Sequence, residues 1–374
     1  MNMTTVAEEL NQLTAQGLYR RLDSHDGVDF SSNDFLGLAH SPLIREALIS
    51  HLKNGKRLGS TGSRLISGND QDLEAAEAFV AEYFAAPAVL FFGSGYLANL
   101  GTVGALGHAD SVEFFSDELN HASLIDGLRL ARAPVCIFRH NDLDHLVELL
   151  RDSSAQRKVV VTESIFSMDG DGPDLVRLKK IIDEQNAFLI LDEAHATGVL
   201  GANGLGAAEG LGLDPERTIC VHTCGKALGG YGAFVTTSAS VRELLINRAR
   251  SFFYSTAPTP LQVAQTRAAL VQLRRQPELR EDLRRNALAL QAGLHEAGAT
   301  TAREEPGHIV SIKIPGVENV LRAAEHLRNK GFHVKAIRHP TVPLGTERLR
   351  LTVKAFHQPQ DIDLLTRALK EVLL

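Results

Sequence analysis

Asp192 and Lys226 are the two residues whose types and positions most suggest joint chemistry. Asp192 follows the apolar run 188–191, where an unpaired buried carboxylate would be costly and so needs a cationic partner. Lys226 lies among glycines after the apolar run 219–221, where a desolvated amine could form a Schiff base. Taken singly, Asp192 could be a helix N-cap and Lys226 a solvated loop residue, so the evidence lies in the pair.

A glycine-rich turn, Gly93-Ser94-Gly95-Tyr96, follows the apolar run 88–92 and precedes a helical pattern. Such a turn presents free backbone N–H groups and the positive end of a helix to an anion. Gly-Ser-Gly turns are common, so this turn alone leaves open whether it is a phosphate site or an ordinary loop. With Asp192 and Lys226 it matches a site for an aldehyde cofactor: phosphate on a helix N-terminus, pyridine nitrogen held by a carboxylate, aldehyde bound by lysine.

The elements that must position these residues are the strands of a mostly parallel sheet. From about residue 70 to 250 helical patterns alternate with short apolar runs, which is typical of βαβ units. Polar residues follow four of the runs, and ligands of such sheets bind beyond the carboxyl ends of the strands. Helices are predicted behind the N-cap candidates Asp142 and Asp174. The predicted strands are 88–92, 135–138, 159–161, 188–191, 219–221 and 233–235.

The chain is predicted to have three parts: an N-terminal segment at 1–37, a large α/β domain at 38–270 and a small α+β domain at 271–374. A long amphipathic segment at 261–297, broken by Pro277, leads into the last part. The last part has predicted strands at 309–312, 334–337 and 349–353 and predicted helices at 317–330 and 362–374.

Composition restricts the class of partner. The chain has 39 Lys and Arg against 45 Asp and Glu, a net charge of −6, and no large basic cluster, so we expect no nucleic-acid partner. No apolar run is long enough to span a membrane, and residues 1–16 lack the apolar core of a signal peptide. The three cysteines form no CxxC pair, which favours a reducing, cytoplasmic setting, and no metal site is predicted.

Six motifs in order along the chain resemble the fold-type-I pyridoxal 5′-phosphate (PLP) enzymes, and within them the α-oxoamine synthases. These enzymes condense an amino acid with an acyl thioester and release CO₂. The resemblance implies PLP as cofactor, a homodimer, a large domain with a mostly parallel seven-stranded sheet, and a small α+β C-terminal domain. The motifs are SSNDFLGL at 31–38, GSTGSR at 59–64, NHAS at 120–123, SMDG at 167–170, DEAHATG at 192–198 and TCGKALG at 223–229.

The resemblance implies a role for each residue near the cofactor. Lys226 would bind the aldehyde and then remove the Cα proton of the amino acid, while Asp192 would keep the pyridine nitrogen protonated. His195 would bond the phenolic oxygen, with Ser167 near the same edge. His121 would stack on the pyridine face, or alternatively only cap a helix. Phosphate contacts are implied for Gly95, Tyr96 and Thr223 and, from the neighbouring subunit of a homodimer, for Ser255 and Thr256.

The segments AIRHPTVP at 336–343 and ERLRLT at 347–352 most resemble the biotin-pathway branch of the family. That branch joins L-alanine to a pimeloyl thioester, carried on CoA or acyl carrier protein. The resemblance implies that Arg350 binds the carboxylate of the amino acid, with Arg348 as its rival. Departures from the family pattern at Cys224 and Tyr231 concern the thioester channel. The predicted substrate-binding residues are Arg20, Arg21, Asn33, His121, Arg350 and Thr352.

Other functions fit parts of the sequence. Residues 192–195, Asp-Glu-Ala-His, also match a motif of a helicase family, but no Gly-x-x-x-x-Gly-Lys-Ser/Thr loop accompanies it. The glycines at 201–206 make a poor dinucleotide fingerprint because no apolar strand directly precedes them. A non-catalytic protein of the PLP fold would be expected to lack Lys226 or Asp192. The strongest alternative is another α-oxoamine synthase, using glycine with acetyl- or succinyl-CoA, or serine with a long acyl chain.

Overall fold

The structure, a computed structural model, describes residues 5–22, 26–107, 111–301 and 305–373. The chain forms two compact units. The larger comprises Asp34–Ser167 and Asp171–Arg280, and the smaller comprises Met1–Asn33, Met168–Gly170 and Glu281–Leu374. The N-terminal segment therefore groups with the C-terminal part. The division into domains at 1–37, 38–270 and 271–374 stays a prediction.

Helices and strands alternate along most of the described chain. In chain order the helices are α1 (Val6–Ala15), α2 (Pro42–Lys53), α3 (Gln71–Phe84), α4 (Gly95–Leu106), α5 (Ala122–Ala131), α6 (Leu143–Asp152), α7 (Leu175–Glu184), α8 (Ala239–Arg248), α9 (Arg250–Phe253), α10 (Pro260–Arg275), α11 (Glu278–Glu296), α12 (Val317–Asn329) and α13 (Pro359–Leu373). The strands are β1 (Val28–Asp29), β2 (Ala88–Phe92), β3 (Val112–Asp117), β4 (Val135–Phe138), β5 (Arg157–Glu163), β6 (Phe188–Asp192), β7 (Thr218–Thr223), β8 (Ala233–Thr237), β9 (Ile309–Lys313), β10 (Phe332–His333), β11 (Lys335–Ile337) and β12 (Arg348–Thr352).

A seven-stranded sheet forms the centre of the larger unit, in the order β2-β8-β7-β6-β5-β3-β4. The pairs from β7 to β4 are parallel, and β8 runs antiparallel to both of its neighbours. The predicted mostly parallel sheet is confirmed. Because the five parallel strands point the same way, their carboxyl ends meet at one edge, where the motifs from β5, β6 and β7 converge.

Apolar residues cover both faces of this sheet, because successive strand residues point to opposite sides. On β6, Ile190 packs in a core with residues of α4, α5 and α8. Its neighbours Leu189 and Leu191 pack in a second core with residues of α6 and α7. Asp142 and Asp174 cap α6 and α7 through backbone N–H groups, as the sequence predicts. The two cores hold the strand ends in fixed positions.

The smaller unit is α+β, as predicted. A three-stranded antiparallel sheet has the order β11-β12-β9, and β1 pairs in parallel with β10. Thr352, at the end of β12, bonds the N-terminal segment: its N–H donates to Phe30 O at 2.7 Å and its hydroxyl to Ser32 O at 2.8 Å. These bonds explain why the N-terminal segment belongs to this unit.

Two expectations from the sequence need correction. The strand β3 is missing from the predicted runs because Glu113, Ser116 and Asp117 interrupt its apolar pattern. The continuous apolar run 135–138 indicates a strand covered on both faces, but this strand, β4, lies at the sheet edge and exposes Val135 and Ile137.

The residues that the structure describes contain neither a membrane-spanning helix nor a group suited to a metal ion. Within 5–22, 26–107, 111–301 and 305–373, no helix is long and apolar enough to cross a membrane. The same ranges contain no group of three or more His, Cys, Asp or Glu side chains suited to a metal ion. Residues 1–4, on which the signal-peptide expectation partly depends, lie outside the described residues.

Candidate active site

Lys226 and His195 lie in contact at the carboxyl edge of the large sheet. Lys226 Nζ is 2.8 Å from His195 Nε2. His195 follows β6, and Lys226 follows β7, the next strand of the sheet. The imidazole is buried and lies 6.1 Å, between ring centroids, from Phe35. The amine and the ring are therefore within hydrogen-bonding distance, with the ring buried and the lysine half-buried.

Asp192 ends β6 as a buried carboxylate with fixed hydrogen bonds. Oδ2 accepts from Asn99 Nδ2 at 2.7 Å, and Oδ1 accepts from the Ala194 N–H at 2.8 Å. Asn99 lies on α4 and also donates to Ser123 Oγ at 2.9 Å. The helix that begins at the glycine-rich turn thus also orients the carboxylate.

His121 is held at the N-terminus of α5 by three contacts. Its Nδ1 lies 2.7 Å from Ser123 Oγ and accepts the Ser123 N–H at 3.2 Å, which makes it the N-cap of the helix. Its own N–H donates to Glu163 Oε1 at 2.7 Å. Part of the residue is exposed, yet the atoms packed around the ring desolvate it and lower the pKa of His121. A neutral His121 therefore carries its proton on Nε2.

The turn before α4 forms a cradle against β7. A Cβ added to Gly95 would lie 2.5 Å from Thr223 Cγ2, so only glycine lets the backbone approach this closely. Ser94 caps the helix by accepting the Leu97 N–H at 3.2 Å. The N–H groups of Gly95 and Tyr96 lie in the first turn of α4, which suits a phosphate.

The remaining predicted cofactor residues are Ser167, Ser255 and Thr256. Ser167 and Ser255 are half-buried, and Thr256 is exposed. Ser255 and Thr256 precede Ala257, whose N–H bonds Gly62 O at 3.0 Å. This bond ties the segment to the GSTGSR motif. The roles of the three residues towards the cofactor stay predictions.

The predicted substrate arginines lie on β12 of the smaller unit and have different partners. Arg348 forms an ion pair with Asp169 and donates to Thr346 O at 3.0 Å. Arg350 donates from Nη2 to Asn33 Oδ1 at 3.0 Å, and burial lowers its pKa to about 10. Arg348 thus pairs with a carboxylate, and the amide oxygen of Asn33 helps to orient Arg350.

Thr352 and the N-terminal arginines are also placed within this unit. The hydroxyl hydrogen of Thr352 is used on Ser32 O, so the structure shows a bracing role for it. Arg20 donates to Thr341 Oγ1 at 3.2 Å, and the Arg21 guanidinium lies 5.6 Å from the centre of the Tyr19 ring.

Sequence reasoning gave no role to Asn99 or Glu163, although Glu163 is among the polar residues that follow the apolar run 159–161. Asn99 lies one helical turn after Gly95, on the face of α4 that a phosphate turn directs towards the strand ends. Glu163 ends β5 as Asp192 ends β6, and the two residues are register partners. Both positions follow from applying the strand-end rule to every strand and helix at this edge.

The fold and the residues at its strand ends are those of a PLP-dependent transferase of fold type I. The chain belongs to the aminotransferase class I and II family, whose model matches residues 25–369.

Individual relatives agree with this assignment. The 8-amino-7-oxononanoate synthase of Anaeromyxobacter dehalogenans (strain 2CP-1) is 42% identical over 383 residues, covering 98% of this chain and 95% of the relative. A crystal structure of 8-amino-7-oxononanoate synthase from Francisella tularensis is 27% identical, with a TM-score of 0.79, and the match covers 93% of this chain and 98% of that one. A serine palmitoyltransferase from S. paucimobilis with bound PLP is 26% identical, with a TM-score of 0.89, covering 98% and 96%.

Proposed function

We propose that the protein condenses L-alanine with a pimeloyl thioester, giving 8-amino-7-oxononanoate, CO₂ and the free thiol, as a PLP-dependent acyltransferase of biotin biosynthesis. The observation that carries the proposal is the 2.8 Å contact between Lys226 Nζ and His195 Nε2 at the strand end that also holds Asp192. The activity named for the relative that is 42% identical supports the choice of substrates.

The residues of the larger unit fit PLP. Gly95 has no Cβ, so the N-terminus of α4 lies close to Thr223, and both can contact one phosphate. Asp192 is a buried carboxylate that can accept a hydrogen bond from a pyridine nitrogen. When bound, PLP supplies an electron sink for the pair released when a bond to the α carbon of the amino acid breaks. The proposed holding residues are Lys226 for the aldehyde, Asp192 for the ring nitrogen, His195 and Ser167 for the phenolic oxygen, and Gly95, Tyr96 and Thr223 for the phosphate.

Lys226 moves the proton at the α carbon of alanine. Its Nζ takes this proton and later returns one to the same carbon after CO₂ has left. A neutral amine is required for the first step, and His195 Nε2, at 2.8 Å, is placed to accept or return the extra proton. His195 is buried, so its ring is held in place for this exchange.

Asp192 and His121 hold the reacting parts in orientation. Asn99 and the Ala194 N–H fix both oxygens of Asp192, so the carboxylate keeps one direction towards its partner nitrogen. Ser123 and Glu163 fix His121 from its ring and its backbone. A neutral His121 ring would lie against the bound cofactor and could donate from Nε2 to the thioester carbonyl oxygen.

Residues of the smaller unit bind the substrates. Arg350 holds the alanine carboxylate as a bidentate pair, and Asn33 fixes the guanidinium. Arg20 or Arg21 lies near the acyl chain. The working form is a homodimer in the cytoplasm, with Ser255 and Thr256 reaching the phosphate of the neighbouring subunit.

A substrate panel tests the proposal. Protein loaded with PLP is given L-alanine, glycine or L-serine, each with pimeloyl-, acetyl-, succinyl- or palmitoyl-CoA, and with pimeloyl-acyl carrier protein. The expected result is CO₂ release and 8-amino-7-oxononanoate, detected by mass spectrometry, with alanine and a pimeloyl thioester. Equal or faster turnover of glycine or serine with another acyl chain would reject the substrate assignment.

The second candidate is another α-oxoamine synthase, of the serine palmitoyltransferase or glycine-using type. The observation that favours the serine palmitoyltransferase type is the TM-score of 0.89 to such an enzyme, which exceeds the 0.79 found for the Francisella enzyme. The same panel separates the candidates, because the best pair would then be serine with palmitoyl-CoA or glycine with acetyl- or succinyl-CoA.

A further inference from the structure

Glu77 is a buried carboxylate of α3 that bonds two arginines and one backbone group. Its Oε1 accepts from Arg64 Nη1 at 2.7 Å, and its Oε2 accepts from Arg64 Nη2 at 3.2 Å and from Arg242 Nη2 at 3.0 Å. Oε1 also accepts the Phe91 N–H at 3.1 Å. The side chains of Glu77 and Arg64 are each 6% exposed, so this pair is shielded from water. Neutralising the carboxylate would leave a buried guanidinium without its counter-charge, which is strongly unfavourable.

The same side chains hold the outer edge of β2, the strand that leads into the turn before α4. β2 is the first strand of the large sheet and pairs with β8 on one side. On its other side Glu77 accepts the Phe91 N–H. Two residues earlier, Val89 O accepts from Arg242 Nε at 2.9 Å. Side chains thus supply the hydrogen bonds that a further strand would give, and they fix the backbone two residues before Gly93, where the turn begins.

Glu77 also holds the GSTGSR motif and, through it, the segment 255–258. Arg64 is the last residue of the motif and forms the two-point bond with Glu77. Two residues earlier, Gly62 O accepts the Ala257 N–H at 3.0 Å. The turn before α4 and the segment 255–258 contain most of the residues predicted to contact a PLP phosphate. Both segments are therefore tied, one through β2 and the other through the motif, to a single carboxylate.

We propose that Glu77 is a positioning residue for the phosphate of PLP. The proposal rests on the proposed function, because it takes the phosphate to lie at the turn before α4. Backbone N–H groups of that turn bind the phosphate, and their direction depends on where β2 ends. The charged cluster around Glu77 fixes the end of β2 before the cofactor arrives, so these donors need no ordering on binding. The cluster therefore raises the affinity for the phosphate and leaves the affinity for the ring and aldehyde unchanged.

A comparison of PLP with pyridoxal, which has the same ring and aldehyde but lacks the phosphate, tests the proposal. Each compound is titrated into the full chain freed of cofactor, and its dissociation constant is measured from the visible absorbance. Glu77→Gln keeps an acceptor for the Phe91 N–H but removes the charge that pairs with the arginines. The matched control is Glu113→Gln on β3, whose carboxylate accepts from Cys136 Sγ and Ser153 Oγ. Tm shows whether each variant is folded.

The expected result for Glu77→Gln is a dissociation constant for PLP that rises about tenfold or more, while that for pyridoxal changes less than about twofold. Glu113→Gln should change neither constant. A general loosening of the fold would weaken both compounds alike, because both use the same ring and aldehyde contacts. The ratio of the two constants therefore separates a positioning role from a merely structural one.

Arg242→Met gives a second measurement that does not depend on the folding of Glu77→Gln. Arg242 is partly exposed, and its replacement keeps the buried pair between Arg64 and Glu77 while removing the bond to Val89 O. The expected result is a rise of about threefold in the dissociation constant for PLP alone. Arg177→Met on α7, which removes a surface ion pair, is the control and should change neither constant.

Wild-type PLP binding in a folded Glu77→Gln, or equal weakening of PLP and pyridoxal, would overturn the proposal. If Glu77→Gln does not fold, wild-type PLP binding in Arg242→Met would overturn it instead. Gly95→Ala, whose added Cβ would lie 2.5 Å from Thr223 Cγ2, tests the placement of the phosphate and should weaken PLP selectively. No selective effect in Gly95→Ala would reject that placement, whereas an effect there without one in Glu77→Gln would reject the role of Glu77 alone. The condensation reaction is judged separately, by the substrate panel with wild type.

Discussion

Glu163 and Asp192 are register partners on β5 and β6, so two buried carboxyl groups lie side by side at the same strand ends. Burial, and after it the charge of Asp192, raises the pKa of Glu163 well above its ordinary value. Glu163 also accepts the His121 N–H at 2.7 Å. Glu163 therefore holds a proton under conditions where a free glutamate has lost it.

Glu163→Gln should weaken the dependence of stability on pH. A raised pKa means that the folded state keeps a proton that the unfolded state releases, so this contribution is full below 4.5 and is lost as pH rises through the folded value. Glutamine keeps an acceptor for His121 but does not titrate. We expect a smaller fall in Tm between about pH 5 and about pH 8 in the variant. Glu296→Gln, on α11, is the control, and a wild-type slope in Glu163→Gln would contradict a protonated Glu163.

Lys226→Ala should remove the covalent link to PLP. We expect loss of the visible chromophore that borohydride reduces onto the protein, and a fall in kcat of about a thousandfold or more, because the proton carrier is gone. Lys179→Ala, on α7, is the matched control. Absorbance, and mass spectrometry after reduction, measure the result; cofactor still reduced onto Lys226→Ala would show that another residue forms the link.

Asn99→Ala should loosen Asp192. The change removes the 2.7 Å hydrogen bond to Oδ2 and leaves a buried carboxylate oxygen without that donor, at a cost of about 1–3 kcal/mol. The expected effects are a lower Tm and weaker PLP binding, measured by denaturation and by cofactor titration. Asn247→Ala, which removes only a bond to Glu243 O, should change neither. Wild-type PLP affinity in Asn99→Ala would exclude this orienting role.

Arg350→Lys and Arg348→Lys should have separate effects. If Arg350 binds the alanine carboxylate, its replacement should raise KM for alanine about tenfold or more, since lysine cannot form the bidentate pair. Arg348→Lys should weaken the pair with Asp169 and lower Tm while leaving that KM nearly unchanged. Steady-state kinetics with thermal denaturation checks both. The reverse pattern would assign substrate binding to Arg348.

His140 should stabilise the larger unit in a pH-dependent way. Burial alone would lower its pKa, but hydrogen bonds to Asp117 and Asp171, each 2.9 Å long, raise the pKa to about 10. This stabilisation is full below the ordinary value of 6.5 and is lost as pH rises through about 10. His140→Gln should therefore lower Tm most near pH 6, and the difference should shrink above about pH 9.

A control histidine separates this effect from general alkaline destabilisation. His295→Gln, at an exposed position of α11, should follow the wild-type Tm at every pH. A deficit in His140→Gln that stays constant from about pH 6 to about pH 10 would argue against a charged His140.

The sequence alone predicted which strands end in the polar residues of the site. Apolar runs before Asp192 and before the segment containing Lys226 predict buried parallel strands, and parallel strands place their carboxyl ends at one edge. Local patterns also predict the caps Asp142 and Asp174 and the break at Pro277 between α10 and α11. Each of these features is set by residues that lie close together in the chain, so it can be predicted from one sequence.

Only the tertiary structure decided which partner each charged residue has. Asn99 reaches Asp192 across 93 residues, and Arg348 reaches Asp169 across 179 residues. The spacing of Arg348 and Arg350 could not decide which of them binds the carboxylate of the amino acid, because residues two apart on a strand face the same side. Their partners differ because folding brings a carboxylate to one guanidinium and an amide to the other, and no local pattern encodes such distant contacts.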